Sequence, residues 1–238
     1  QPHTDSSIPA SRPSATHPQP HADSSIPVEA DVVIVGGGPR AVSVVERLTA
    51  RGAADPPLRV VVIDRFEVGA GATWRTDQSP QLLNNTYSAH TTIYPDDSTP
   101  MAGPLTPGPD LVEWARDVVA GVPRVTAPAT AGWHAGPRPD WVAAEAAEIE
   151  PWSFPSRRLQ GVYFREQLEA ILSRGGVELT GVVGTVVAIE PAGIELSVEG
   201  ERGTRGGQPA GIELSTYAER EGERGTRGGQ PAGIELST

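Results

Sequence analysis

The sequence predicts an α/β fold in which a parallel sheet starts with a strand–helix–strand unit. A β-branched run at 31–35 leads into three glycines, and a helical pattern follows over 39–50. A second apolar run at 58–64 completes the unit within about 35 residues. Because such a crossover is almost always right-handed and joins parallel strands, these observations predict both the sheet and a helix that covers it.

Each part of this unit carries a local signal. The first run is rich in valine, which is typical of a strand buried in a parallel sheet. Pro39 suits the first helical turn, where its missing N–H has no intrahelical partner in any case. Val42 and Val45 recur at helical spacing, and Gly52 supplies the C-terminal stop. The second run is almost wholly apolar and ends at Asp64.

Further elements follow along the chain. Asp110 and Glu113 form a capping box that begins a second helix, expected over about 110–120. A third helix is expected over about 160–174, and the stretches between the helices are expected to be irregular. Residues 177–199 are predicted to form two or three short strands, arranged as a small β-meander.

The two ends of the chain differ from its middle. Residues 1–29 are rich in Pro, Ser and His and are predicted to be a disordered tail. Residues 200–238 form a Gly/Arg-rich repeat tail, because the eighteen residues from Glu199 recur without a change from Glu221. We expect at most one edge strand from the first copy, at 211–216. The informative domain is therefore 30–199.

Composition excludes several classes of protein. The 238 residues include no cysteine, which excludes disulfide scaffolds, thiolate zinc sites and iron–sulfur clusters. All 19 basic residues are arginine, which excludes lysine-based chemistry. The net charge of -11 argues against nucleic acid as a partner. No apolar run is long enough to cross a bilayer, so we expect a cytoplasmic protein without membrane contact.

The glycine-rich turn carries the strongest functional signal. Gly36, Gly38 and Ala41 form a G-x-G-x-x-A fingerprint, placed after a strand and at the start of a helix. Gly36 permits the tight turn, Gly38 lets a pyrophosphate approach the backbone, and Ala41 keeps the helix close to the strand. Asp64 ends the second strand at the spacing expected for an acidic residue on a ribose hydroxyl. The unit is thus predicted to be Rossmann-like and to bind a dinucleotide.

The residues after the second strand leave the type of dinucleotide open. The carboxylate of Asp64 favours a free ribose 2′-hydroxyl, because a neighbouring 2′-phosphate would be repelled. This points to FAD or NAD. Arg65 is either a solvated charge at the end of the strand or a group that receives a 2′-phosphate.

The runs VVIVGGGPRAVSVVERL, LRVVVIDR and GAGATWRTDQSPQLLNNTYS resemble FAD/NAD(P)-binding flavoprotein oxidoreductases of the two-dinucleotide-domain type. The later segments LVEWAR and SRRLQGVYFREQL are also similar to that family. The resemblance covers about 30–190 and only the N-terminal portion of such proteins. The closing Ala-Thr-Gly-type turn and the second glycine-rich motif of the family are not found here. We therefore expect a truncated FAD/NAD(P)-binding domain.

The resemblance implies that FAD is the cofactor, with NAD(P)H as a possible electron donor. Trp74 would cover a ring face or simply anchor its loop, and Arg75 would pair with phosphate. Asn84 and Asn85 would hydrogen-bond flavin heteroatoms or form a turn. The candidate cofactor-binding residues are Gly36, Gly38, Pro39, Arg40, Ala41, Asp64, Arg65, Trp74, Arg75, Asn84 and Asn85.

The predicted function is that of an FAD-dependent oxidoreductase acting on an unidentified small-molecule substrate. The alternatives are an NAD(P)-dependent dehydrogenase that uses the same turn, and a non-catalytic nucleotide-binding fragment. His90 and His134 are the histidines outside the N-terminal tail, and neither has a partner that the sequence reveals. No catalytic residue and no metal ligand is therefore assigned.

Overall fold

The computed structural model describes residues 30–52, 54–98, 100–190, 193–197 and 210–213. The predicted disordered tail at 1–29 lies outside the described residues. The same is true of the predicted repeat tail at 200–238, except for the four residues 210–213.

Ten regular elements follow one another along the described chain. They are β1 (Val32–Val35), α1 (Pro39–Ala50), β2 (Leu58–Asp64), α2 (Leu111–Val119), α3 (Val142–Ala147), α4 (Arg157–Leu172), β3 (Val177–Val183), β4 (Thr185–Glu190), β5 (Gly193–Ser197) and β6 (Ala210–Glu213). Two 3₁₀ turns, at Ser88–His90 and Ala129–Ala131, interrupt the loops between β2 and α3.

The main sheet has the order β1-β2-β3, and both strand pairs are parallel. Val33 lies opposite Val61, and Val61 lies opposite Thr180. The predicted strand–helix–strand unit and the α/β, Rossmann-like fold class are confirmed.

The assignment of all of 177–199 to a meander was wrong, because β3 belongs to the parallel sheet. Val177 and Leu179 are buried, whereas Glu178 and Thr180, which alternate with them, are exposed. Helix α4 ends just before β3 and packs against it. The chain therefore returns to the sheet by a crossover, as a parallel strand requires.

The meander is a separate antiparallel sheet of order β4-β5-β6. Strand β6 comes from the first copy of the repeat, and its residue Ile212 lies opposite Ile194 of β5. The edge strand expected at 211–216 is therefore present, with the bounds Ala210–Glu213.

The core lies between the main sheet and the helices α1 and α4. Val60 and Val62 of β2 point toward Val45 of α1 and Leu168 of α4 in one hydrophobic cluster. The opposite face of β2 contributes Ile63 to a smaller cluster. Because alternate residues of a strand face opposite sides, a nearly continuous apolar strand is what a sheet covered on both faces requires.

The starts of two helices can be compared with the prediction. The capping box of α2 is present, with both Asp110 and Glu113 making their hydrogen bonds. Helix α4 begins at Arg157, earlier than predicted, because the hydroxyl of Ser156 accepts the Leu159 N–H and caps it. Helix α3 was not predicted.

Within the described residues, no helix is both long and apolar enough to cross a membrane.

Candidate dinucleotide-binding site

The glycine turn joins β1 directly to α1. Gly36 has a φ of 100°, a left-handed conformation that favours glycine, and its N–H donates to the Ile63 carbonyl at 2.8 Å. Gly38 is the N-cap residue of α1 in an extended conformation. Its carbonyl accepts the Ala41 N–H at 2.9 Å and so starts the helix. The first glycine thus makes the turn, as the fingerprint predicts.

The N-terminus of α1 has the character of an anion site. In the described part of the chain no side chain caps it, and its first turn holds no acidic residue. Pro39 occupies the first helical position, and Arg40 follows it as an exposed side chain. Helix N-termini carry partial positive charge and unsatisfied N–H groups. A cation at this end is unfavourable for the helix alone, so Arg40 suits an anionic ligand.

The turn also leaves room for a ligand. A Cβ atom built on Gly38 meets no heavy atom of the described residues within 4 Å. Ala41, by contrast, is buried and belongs to the core cluster under the helix. Open space above one small residue and close packing under the other are what a pyrophosphate site on a helix N-terminus requires.

Asp64 holds the turn from the end of β2. Its Oδ2 accepts the N–H of Gly37 at 2.6 Å, and its Oδ1 accepts the N–H of Phe66 at 2.8 Å. The carboxylate therefore lies beside the turn, where a ribose hydroxyl would reach it. Arg65 is exposed next to it, with its guanidinium 5.8 Å from the centre of the Phe66 ring.

The loop after β2 lies directly on the glycine turn. The N–H of Gly69 donates to the Gly37 carbonyl at 2.6 Å. Gly71 has a φ of 60°, and a Cβ atom on it would lie 2.8 Å from the Gly38 Cα. This contact is closer than real Cβ atoms approach a backbone, so only glycine fits at position 71.

Helix α4 brings the other predicted loops to the same side of the domain. A Cβ atom on Gly69 would contact the backbone of Arg165, and one on Gly161 would overlap the Trp74 carbonyl. Leu83 forms an isolated β-bridge with Ser156 at the N-cap of α4. Three points of the segment 69–83 thus meet α4 in order along roughly 13 Å of its axis, at 1.5 Å per residue. The arrangement suits an elongated ligand.

Trp74 packs into the protein rather than lying open. Its ring makes an edge-to-face contact with Phe164, with centroids 5.6 Å apart, and it borders the core cluster. This favours the anchoring interpretation of Trp74. Its indole N–H, however, is buried and has no hydrogen-bond partner among the described residues, and the same is true of Gln160 Oε1 on α4.

Arg75 lies beside Phe66. Its guanidinium is 5.0 Å from the Phe66 ring centre, and its Nε is 3.3 Å from Asp77 Oδ1. These contacts place it near the Asp64 end of the site. Asn84 is half-buried and donates its backbone N–H to the Pro155 carbonyl, while Asn85 is exposed.

A second charged region borders the 67–76 loop. It is a cavity of about 230 Å³ between that loop, α4 and the segment 135–139. Arg138 donates to both oxygens of the buried Glu166, at 2.8 and 2.7 Å, and these hydrogen bonds raise the pKa of the guanidinium. Arg165 pairs with Glu67 at 2.5 Å. The cavity therefore has internal charge compensation.

The two histidines lie outside the turn. His134 Nδ1 is 3.0 Å from Glu169 Oε1. The other carboxylate oxygen of Glu169 accepts the N–H of Ala135, which lines the cavity. His90 contacts the rings of Tyr87 and Trp152 in an exposed aromatic cluster. Neither position identifies a catalytic base, so the catalytic residue stays unassigned.

Sequence reasoning missed the role of Gly37, which is the variable position of the fingerprint. It also gave no separate roles to Gly69 and Gly71. The available signal was the repetition of small residues after β2, in the run Gly-Ala-Gly-Ala at 69–72. Such a run is expected where one loop must approach the backbone of another.

Comparison with known proteins agrees with this geometry. Residues 33–208 match the model of a family described as FAD-NAD(P)-binding. The chain belongs to this family. The match covers nearly all of the parallel sheet, strands β4 and β5 of the second sheet and every loop of the candidate site, so the resemblance seen in the sequence is confirmed.

Named relatives are similar over part of the chain. An L-aspartate N-monooxygenase (nitrosuccinate-forming) of Streptomyces cremeus is 40% identical over 144 residues, which is 59% of this chain and 21% of that protein. The enzyme of the same name from Streptomyces davaonensis is 40% identical over 138 residues, 56% of this chain and 19% of that protein. The nitrosuccinic acid synthase of Aspergillus oryzae is 38% identical over 149 residues, 61% of this chain and 21% of that protein. The chain thus spans about a fifth of the length of these curated relatives.

Proposed function

We propose that this chain is the FAD-binding part of an oxidoreductase, with the pyrophosphate of FAD bound at the N-terminus of α1. The observation that carries the proposal is the open space above Gly38, at a helix end that no described side chain caps. The isoalloxazine would supply the redox chemistry, and the protein would supply binding and orientation.

The residues of the turn fit this role through separate contributions. The N–H groups at the start of α1 would hydrogen-bond the phosphates, and Arg40 would add positive charge. Ala41 would keep α1 close enough to the sheet for its N-terminus to reach them. Asp64 would accept a hydrogen bond from a ribose hydroxyl while it keeps its contact with Gly37.

The unpartnered polar atoms mark the other end of the site. Buried polar groups nearly always have hydrogen-bond partners, and an unpaired one costs free energy. The Trp74 indole N–H and Gln160 Oε1 are exceptions in the described structure. We propose that they face the flavin end of the ligand, close to the loop that carries Asn84 and Asn85.

We further propose that the reaction is the N-oxygenation of the amino group of a small amino acid. The support is the 40% identity to the two L-aspartate N-monooxygenases, over 144 and 138 residues. NAD(P)H would be the electron donor. Residues that select the amino acid are not assigned in this chain.

Ligand binding tests the cofactor proposal. The purified chain is titrated with FAD, NADH and NADPH, and each complex is followed by fluorescence. We expect FAD to bind, with quenching of its fluorescence, and the nicotinamides to bind weakly or not at all. Binding of NADPH without FAD would instead favour an NAD(P)-dependent dehydrogenase. Binding of none of the three would favour a fragment without a cofactor.

A chimera tests the reaction proposal. In the Streptomyces cremeus enzyme, the region that matches this chain is replaced by the corresponding residues of this chain. We expect the chimera to retain FAD and to form nitrosuccinate from L-aspartate. The matched control carries Gly38→Ala and should lose both. A chimera that retains FAD but forms no nitrosuccinate would contradict the N-oxygenation proposal alone.

A further inference from the structure

We propose that Gly37 and Asp64 lock the glycine turn into its binding shape before any ligand arrives. Asp64 is then a positioning residue for the turn, in addition to any contact with a ribose. The inference rests on the proposed dinucleotide site, but its first consequence concerns the protein without ligand.

Both backbone polar groups of Gly37 are used inside the protein. Its N–H donates to Asp64 Oδ2 at 2.6 Å, and its carbonyl accepts the Gly69 N–H at 2.6 Å. The residue is buried between β2 and the loop that follows it. Three consecutive glycines thus have different roles: Gly36 makes the turn, Gly37 fixes it, and Gly38 faces the open space.

The lock needs a carboxylate at position 64. One oxygen accepts from Gly37 and the other from Phe66, so each faces a backbone donor. A carboxylate offers two acceptor oxygens, whereas an asparagine amide offers one and places an NH₂ group at the second position. In Asp64→Asn, the amide NH₂ group would therefore face one of the two backbone N–H groups, and two donors cannot form a hydrogen bond. Charge also strengthens both hydrogen bonds.

Steric contacts separate Gly37 from Gly38. A Cβ atom at position 37 would lie 3.1 Å from the Asp64 Cβ and 3.2 Å from the Val68 Cα. One at position 38 meets no described atom within 4 Å. Alanine at 37 must therefore disturb the empty turn, whereas alanine at 38 leaves the empty turn intact and fills the space meant for the ligand.

The first experiment uses the full 238-residue chain without ligand. Thermal unfolding and amide hydrogen exchange are compared for wild type, Asp64→Asn, Gly37→Ala and Gly38→Ala. We expect a lower Tm and faster exchange at Gly37 and Phe66 in the first two variants, and wild-type behaviour for Gly38→Ala. Wild-type exchange at both Gly37 and Phe66 in Asp64→Asn would overturn the proposal. This result does not depend on ligand binding, and Asp64→Asn decides it even where Gly37→Ala fails to fold.

The second experiment separates positioning from ribose contact. Affinities for ADP and for 2′,3′-dideoxy-ADP, which lacks both ribose hydroxyls, are measured for wild type and Asp64→Asn. A positioning role predicts that both affinities fall by about tenfold, the equivalent of one charge-assisted hydrogen bond. A loss confined to ADP would show ribose contact alone and overturn the proposal.

A stability control completes the design. Ile171→Val trims a buried side chain near the end of α4 and should lower Tm without changing either affinity. Loss of affinity in this control would mean that general destabilisation explains the Asp64 result. A wild-type chain that binds neither nucleotide would contradict the proposed function. The exchange experiment would still test whether Asp64 holds Gly37 and Phe66 in place.

Discussion

The glycine turn and the arginine-lined cavity both concentrate charge beside the 67–76 loop, but they differ in how that charge is balanced. In the cavity, Arg138 and Arg165 each hold a glutamate of the same chain. At the turn, Arg40 makes no contact of this kind with the described residues, and it lies at a helix end where a cation is unfavourable. The difference supports the proposal that the turn, rather than the cavity, receives the anionic part of the ligand.

The cavity network contributes to stability for the same reason. Glu166 is buried on α4 and accepts from Arg138 and from the Trp114 indole N–H at 2.9 Å. Its partners belong to α2 and to the loop before α3, so one carboxylate connects three parts of the fold. The turn, in contrast, is held by hydrogen bonds of Gly36 and Gly37 to β2 and to the loop that follows it.

The largest effect is expected from Glu166→Gln. Removing one charge of a buried pair leaves the other poorly compensated, and we expect the free energy of unfolding to fall by about 3 kcal/mol. Because the residue lies away from the turn, FAD affinity should change less than about twofold. Chemical denaturation and FAD titration measure the two quantities. Glu148→Gln, at an exposed position, is the control and should change neither. A large loss of FAD affinity in Glu166→Gln would show that the cavity and the turn are not independent.

A smaller effect is expected from Gly71→Ala. The left-handed conformation costs an alanine about 1–2 kcal/mol, and its Cβ would press on the backbone of Gly38. Both stability and FAD affinity should therefore fall. Gly121→Ala is a matched control, because Gly121 has a φ of 70° and open space around its Cβ position. It should lose similar stability and keep its affinity. Equal FAD affinity in both variants would contradict the contact between the loop and the turn.

The smallest effect on stability is expected from Arg40→Gln. Its sign is informative, because stability should rise while FAD affinity falls. Removing a cation from the N-terminus of α1 should raise the stability of the ligand-free protein by about 0.3 kcal/mol and lower FAD affinity several-fold. Arg51→Gln, at the other end of α1, should lower stability slightly and leave affinity unchanged. Salt should reduce the affinity difference between wild type and Arg40→Gln. A stability loss in Arg40→Gln would mean that Arg40 already has a partner.

The parts of the fold that follow from local patterns could be predicted from the sequence. Periodicity, Pro39 and the glycine stop located β1, α1 and β2, and the capping box located α2. Strand β3 could not be assigned to its sheet, because pairing with β2 depends on where α4 ends in space. Short helix α3 was missed because its six residues carry too little periodicity.

The backbone geometry of the glycine turn was predictable to the same degree, whereas the cofactor contacts of the candidate residues stay predictions. The fingerprint identified Gly36, Gly38 and Ala41 by their effects on the chain's own backbone. The role of Gly37 depends on Asp64, which is 27 positions away, and on Gly69 of the following loop. Such roles arise from tertiary contacts that spacing alone does not encode. Arg75 shows the same limit, since its contacts with the Phe66 ring and with Asp77 could not be read from the sequence.

We propose that the N-terminus of α1, rather than the arginine-lined cavity, receives the phosphates of FAD. An NMR titration of the isotope-labelled chain with FAD tests it most directly, because each backbone amide reports on its own surroundings. We predict the largest shifts at the amides of Gly38, Arg40 and Ala41, with smaller ones at Asp64. Shifts centred on Arg124 and Arg138 in the cavity, with the amides of the turn unmoved, would contradict the account.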